Sequence, residues 1–254
     1  MYAQLQLQLS HCNFGWWKGS ALQGVLFEHI DFDYADRLHT FNLHPYSQYL
    51  YKTQEKVVWV INTLNDESYE KIIDPLLKSN FSGFKLKQGN EDVEISEKIC
   101  IRKGERELLN EFYQKPAERH FSVEIATPAA FKHAGAYTIL PEPWLFFQSL
   151  MNKYSAASET VDLMDEKTLE ELDTKAVISR YRLHSAYYPL EGIKIPGFAG
   201  EMDFYIRGTE TMARFVRLLL NFGEFSGIGV KTAMGMGAIR RIRKEHHNHA
   251  ENNP

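Results

Sequence analysis

An alternating apolar pattern begins twice in this chain. Residues 2–9 set Leu5, Leu7 and Leu9 against Gln4, Gln6 and Gln8, and residues 120–126 repeat the spacing with Phe121, Val123 and Ile125. A period of two is that of a half-buried strand, one face on a core and one face away from it. Between the two starts the pattern lapses over 114–119, where Lys115-Pro116 reads as a linker. At 254 residues the chain is long enough for two domains of roughly 100–150 residues. The restart constrains the fold strongly: what the first half builds, the second half begins to build again.

In the first half the sequence predicts a helix over 21–30, with Leu22, Val25, Leu26 and Ile30 near helical spacing and Ser20 as its cap. A further helical turn is expected over 33–38, and 39–51 reads as irregular. The run Val57-Val58-Trp59-Val60-Ile61 predicts a buried strand over 56–64. A helix capped by Asp66 or Ser68 follows, then strands over 83–87 and 93–103. In the second half a short strand is expected over 137–140, and Pro143 leads a helix over 144–154. Residues 155–175 are acidic and helical toward their end. Strands over 176–190 and 198–207 join through Pro196-Gly197, and an amphipathic helix over 209–222 precedes a last strand over 238–243. Strand–helix–strand openings in both halves predict an α+β fold of two tandem ferredoxin-like (split β-α-β) domains, at 1–116 and 117–245, with a disordered tail over 246–254.

Residues 227–237 hold Gly227, Gly229, Gly235 and Gly237 in two Gly-x-Gly pairs around Lys231 and Thr232. A P-loop needs Gly-Lys-[Ser/Thr] after its last glycine and then a helix, and a dinucleotide fingerprint needs a strand before and a helix after. Here the order is helix, loop, strand. The reading is a phosphate-binding loop of another type, in which Lys231 and Thr232 contact phosphate beside glycine N–H groups. The alternative is that the glycines only let the loop pack against the sheet.

The net charge of −4 argues against a polyanion partner, but the charge is unevenly spread. Arg240, Arg241, Arg243 and Lys244 cluster after the glycine loop, and a local basic face binds polyanions on an acidic protein. Alternation is expected to put Arg241 opposite Arg240 and Arg243. Cys12 and Cys100, the two cysteines, make neither a disulfide framework nor a zinc quartet, which fits a reducing cytoplasm. With no apolar run of about 18 residues and no signal-peptide pattern, the expectation is a soluble cytoplasmic protein with no membrane partner.

The glycine loop and the helix before it resemble the C-terminal signature of the CRISPR-associated endoribonuclease family that processes repeat RNA, within the RAMP superfamily. Ile125-Ala126-Thr127-Pro128-Ala129-Ala130-Phe131-Lys132, Pro143-Trp144-Leu145-Phe146-Phe147-Gln148-Ser149-Leu150 and Ile195-Pro196-Gly197-Phe198-Ala199-Gly200 resemble the strand, helix and turn of the family's second domain. In the first half, Leu22-Gln23-Gly24-Val25-Leu26-Phe27 and the stretch from Leu38-His39 to Pro45-Tyr46-Ser47 are similar to its first helix and following loop. The resemblance implies metal-independent cleavage without a cofactor: a base takes the proton of a ribose 2′-OH, which attacks the adjacent phosphate and leaves a 2′,3′-cyclic phosphate and a 5′-OH. Repeat RNA is the implied partner, with other CRISPR interference subunits and a second copy of the chain left open. A non-catalytic RNA-binding subunit of the same fold is the alternative, and a nucleotide-binding enzyme a third.

The chemistry needs a group that exchanges protons near neutrality, and histidine does. His39 matches the position of the family's catalytic histidine, and His44, before Pro45, is the second candidate. The family's tyrosine position in the first helix reads Phe27, so Tyr46, with Ser47, Tyr49 or Lys52, would have to substitute for missing members of the site. Gly227, Gly229, Lys231, Thr232, Gly235, Gly237, Arg240, Arg241 and Arg243 are the candidate RNA contacts. No metal site is expected, and His246, His247 and His249 read as adventitious ligands at most.

Overall fold

The computed structural model describes residues 1–10, 12–53, 56–87 and 89–243. The expectations for Lys244 and for the tail beginning at His246 lie outside them.

The first half runs β1 (Tyr2–Ser10), α1 (Gly19–His29), α2 (Phe32–Leu38), β2 (Tyr46–Lys52), β3 (Val57–Thr63), α3 (Asp66–Ser68), a π-helical turn (Tyr69–Ile73), α4 (Asp74–Leu77), β4 (Gly83–Leu86), β5 (Glu91–Lys103) and α5 (Glu105–Gln114). Its antiparallel sheet has the order β2-β3-β1-β5-β4. Leu5 pairs with Ile61 and Leu7 with Trp59, and these side chains are buried with Leu22, Val25 and Leu26 of α1. Residues 39–51 are not irregular throughout. Tyr46 to Leu50 form a strand buried at every position, so no polar alternation marks it. The helix after β3 is capped by Asn65, whose side chain accepts from Ser68 N, not by Asp66 or Ser68.

The second half runs β6 (His120–Ala129), β7 (Phe131–His133), β8 (Ala136–Thr138), α6 (Pro143–Ala157), α7 (Glu166–Lys175), β9 (Ala176–Leu190), β10 (Ile193–Ile206), α8 (Glu210–Ser226), a 3-10 turn (Thr232–Met234) and β11 (Ile239–Ile242). The order β11-β6-β10-β9 is 4-1-3-2 in units of its own strands, the ferredoxin-like arrangement. Pro196-Gly197 does not join two strands. It lies inside β10, and the reversal is at Glu191-Gly192, both at positive φ. The fold is α+β, with one such sheet in each half.

The halves meet across a shared apolar cluster in which Tyr2, Leu64 and Leu108 pack with Tyr154, Leu218, Phe222 and Phe225. Polar side chains fix the register. Gln48 Nε2 donates to Gly19 O at 3.1 Å and Ala233 O at 3.0 Å, and its Oε1 accepts from Trp59 Nε1. Ser47 Oγ donates to Phe225 O at 2.5 Å. Strand β2 thereby carries the loop after α8 on its surface. No helix among the described residues is long and apolar enough to cross a membrane.

Candidate active site

Helix α8 ends where Gly227 takes φ 63°, a left-handed value that suits glycine. Gly229, Gly235 and Gly237 also lie at positive φ. A Cβ on Gly227 would stand 2.8 Å from Gly237 O, and one on Gly229 or Gly237 would overlap the carbonyls of Ala130 or Ile228. The loop is folded onto itself and onto the end of β6: Ile228 N–H donates to Gly237 O at 2.8 Å and Val230 N–H to Ala130 O at 2.9 Å.

The glycine N–H groups point inward. Gly227 donates to Gly223 O, Gly235 to Thr232 O and Gly237 to Pro128 O, while Gly229 donates to Ser149 Oγ at 2.8 Å. This corrects the expectation that Gly227, Gly229, Gly235 and Gly237 offer backbone donors to a phosphate, because those donors already have partners. The glycines instead allow the close packing that holds Lys231 at the outer edge. Lys231 is exposed, with φ 57° and ψ 31°, a conformation that costs a non-glycine residue about 1–2 kcal/mol. Among the described residues no hydrogen bond takes the N–H of Lys231 or Thr232.

Opposite the loop stands the segment between α2 and β2. His44 there is partly buried, and its Nδ1 is enclosed with no hydrogen-bond partner. Its pKa is pushed down, first by burial, then by the nearby charges of Lys231 and His39. Two histidines of one segment and a lysine from the far end of the chain thus share one electrostatic environment. His39 ends α2, exposed, with its ring edge-on to Phe27 at 5.3 Å between centroids. The other two catalytic candidates do not join them as reactive groups. Tyr46 is fully buried, and its hydroxyl accepts from Gln23 Nε2 at 2.8 Å. Lys52 closes the seven-residue β2 about 20 Å from Tyr46 at 3.3 Å per residue. Its Nζ donates to Asn13 Oδ1.

Sequence reasoning missed Lys153. It lies on α6, 7% exposed, and Nζ donates to Ser226 O at 3.3 Å, Gly227 O at 3.2 Å and Thr232 Oγ1 at 3.3 Å. Burial pushes its pKa down to about 7. It shares a cavity of about 110 Å³ with His44, Asn65 and Glu67. The signal was present: Phe146, Leu150 and Lys153 fall at i, i+4 and i+7, so this lysine stands in the apolar stripe of its helix.

The sequence pattern described as CRISPR-associated endoribonuclease Cas6 matches residues 123–239. The CRISPR-associated endoribonuclease Cas6 of Mycobacterium tuberculosis is 38% identical over 223 residues, covering 87% of this chain and 71% of that protein. The Streptococcus thermophilus protein of the same description is 36% identical over 219 residues, 85% of this chain and 88% of its own length. This chain belongs to the Cas6 endoribonuclease family. A solved Cas6 product complex superposes with a TM-score of 0.77 at 20% identity, covering 95% of this chain and 99% of that one. Thermus thermophilus Cas6 superposes with a TM-score of 0.72 at 20% identity, covering 95% and 98%. At such identities the likeness shows the fold, and it is the tandem ferredoxin-like one.

In this Cas6 family member the arginines after the loop are already engaged. Arg241 lies between Glu118, at 2.9 Å, and Asn221, at 2.8 Å, with its side chain only 7% exposed. Arg243 pairs with Glu224 at 2.5 Å. Arg240 pairs with Glu124 at 3.4 Å and stands over the Tyr51 ring. Arg241 and Arg243 share one side through Glu224, which accepts from Arg241 N–H as well, and Arg240 is on the other. The expected grouping of Arg240 with Arg243 is corrected accordingly, since residues two apart share a face. Arg241 is engaged within the second half, whereas Arg240 reaches Tyr51 of the first half and remains open to solvent.

Proposed function

We propose that this chain is a metal-independent endoribonuclease that cuts CRISPR repeat RNA into guide RNAs, working in the cytoplasm. The observation that carries the reading is the meeting of His44, His39 and Lys231 across the two halves. Lowered basicity keeps His44 a neutral imidazole at pH 7, the form that accepts a proton. It takes the proton of the ribose 2′-OH. The 2′-oxygen bonds to phosphorus, the bond from phosphorus to the 5′-oxygen breaks, and the departing oxygen takes a proton from His39. Products are a 2′,3′-cyclic phosphate and a 5′-OH. Lys231 places a cation where the phosphorane gains charge, and water does not compete with it from the packed side of the loop. Thr232 and Arg240 serve as contacts to the RNA backbone, which give affinity and salt dependence rather than base reading.

The nearness of Lys231 and His39 to His44 supports catalysis over a binding-only role, because it brings the loop's cation to the histidines. The test is His39→Ala and His44→Ala, each measured for RNA affinity and for single-turnover cleavage. Each is expected to bind repeat RNA within about threefold of wild type and to cut about 10²–10⁴-fold more slowly, the usual share of a general acid or base. Cleavage at the wild-type rate by both variants would refute the assignment.

A further inference from the structure

A lysine inside an apolar stripe needs a reason, since lysines are rarely fully buried and an ammonium loses several kcal/mol of hydration there. Lys153 has three N–H donors and meets three oxygens: the carbonyls of Ser226 and Gly227 and the hydroxyl of Thr232. The two carbonyls lie at the C-terminal end of α8, where carbonyls lack helical partners and the dipole is negative. The third contact is the informative one. Thr232 Oγ1 receives a hydrogen from Lys153, and among the described residues its own hydrogen has no acceptor. Thr232 is only partly buried and follows the exposed Lys231. Lys153 also lines two hollows, one with His44 and Glu67, the other beside the loop with Lys132 and Gly229.

We propose that Lys153 is a positioning residue: from beneath the glycine loop it fixes Thr232 and leaves the threonine hydroxyl free to donate to an RNA phosphate. The role rests on the RNA-cutting reading above. A substrate phosphate beside Thr232 favours the ammonium form, so RNA affinity carries the titration of Lys153. The titratable groups that share a hollow with Lys153 are His44 from the segment before β2, Glu67 of α3 and Lys132 of β7. Sign follows from the cation: affinity is strongest below its pKa, near 7, and weakens as pH rises through it.

The experiment measures Kd for repeat RNA carrying a 2′-deoxyribose at the mapped cut, from pH 6 to pH 8.5, with the melting temperature of each variant. Lys153→Met is expected to bind about tenfold more weakly at pH 6 and to lose the weakening with pH, while its melting temperature reads separately the cost of leaving the Ser226 and Gly227 carbonyls and Thr232 Oγ1 without their donor. Thr232→Val, which leaves the core intact, should show a similar loss, Thr232→Ser should restore binding, and the double variant should lose no more than either single one. Wild-type affinity in both Lys153→Met and Thr232→Val overturns the inference, as do fully additive losses. Should Lys153→Met fail to fold, the Thr232 pair and its pH dependence decide the matter alone. A wild-type protein that binds no repeat RNA refutes the functional reading itself, and this role with it.

Discussion

Gly237→Ala separates a loop glycine that shapes the backbone from one that only supplies a donor, because alanine keeps the N–H. Gly237 has φ 66°, and a Cβ there would stand well under 3.0 Å from Ile228 O. The left-handed conformation costs alanine about 1–2 kcal/mol. Relief of the overlap must displace Ile228, whose N–H donates to Gly237 O, a bond worth about 0.5–1.5 kcal/mol net. Together they amount to about 1.5–3.5 kcal/mol, or about 3–14 °C in Tm for a chain of this size. Gly24→Ala is the control: it lies within α1 with nothing within 4 Å of its Cβ, and alanine should stabilise it by about 0.5–1 kcal/mol. Thermal unfolding followed by circular dichroism reads both. A Gly237→Ala protein that melts within a degree of wild type yet no longer binds RNA would refute the packing account and return the glycines to phosphate binding.

His44 makes stability pH-dependent. Its folded pKa is lowered, so the unfolded chain binds more protons between that value and about 6.5. Stability rises with pH across this window and is level above it. Denaturant unfolding at pH 5 and pH 7.5 should show the difference shrinking in His44→Gln. Arg241→Ala leaves Glu118 and Asn221 without their partner and should destabilise by about 1–3 kcal/mol, against about 0.5 kcal/mol for the solvent-screened Arg240→Ala. Arg240→Ala should in turn reduce the salt dependence of RNA binding more than Arg241→Ala does, as titrations at two ionic strengths will show. Gln48→Leu strips Trp59 Nε1 and the carbonyls of Gly19 and Ala233 of a shared partner. It should lower Tm and slow cleavage together, because the same side chain ties the glycine loop to β2.

Much of the fold was legible because one-faced burial leaves a period. β1 and β6 each bury one side and carry it in their residues, and α8 shows its stripe before it becomes buried at every position from Val216 to Gly223. β2 buries both sides, so Tyr46 to Leu50 show no alternation, and the tyrosines read as a loop. α5 carries its apolar stripe only in Leu108, Leu109 and Phe112, which face the cluster between the halves, and its other positions are mostly polar over just ten residues. In the site, the pattern Gly227 to Gly237 marks positive φ but is silent on which way an N–H points, so tight packing and phosphate binding look alike. Strand spacing places Arg241 on a face without saying that Glu118 waits there. His44 was legible only as a histidine before a proline. Its basicity is lowered first by burial and then by Lys231, nearly two hundred residues away, and both belong to the tertiary fold.

The most direct measurement incubates the protein with its repeat RNA in excess EDTA and maps both ends of the products. The account predicts one cut, persisting in chelator, with a 2′,3′-cyclic phosphate on one fragment and a 5′-OH on the other. Cleavage that stops in EDTA, or fragments ending in a 5′-phosphate, would contradict it.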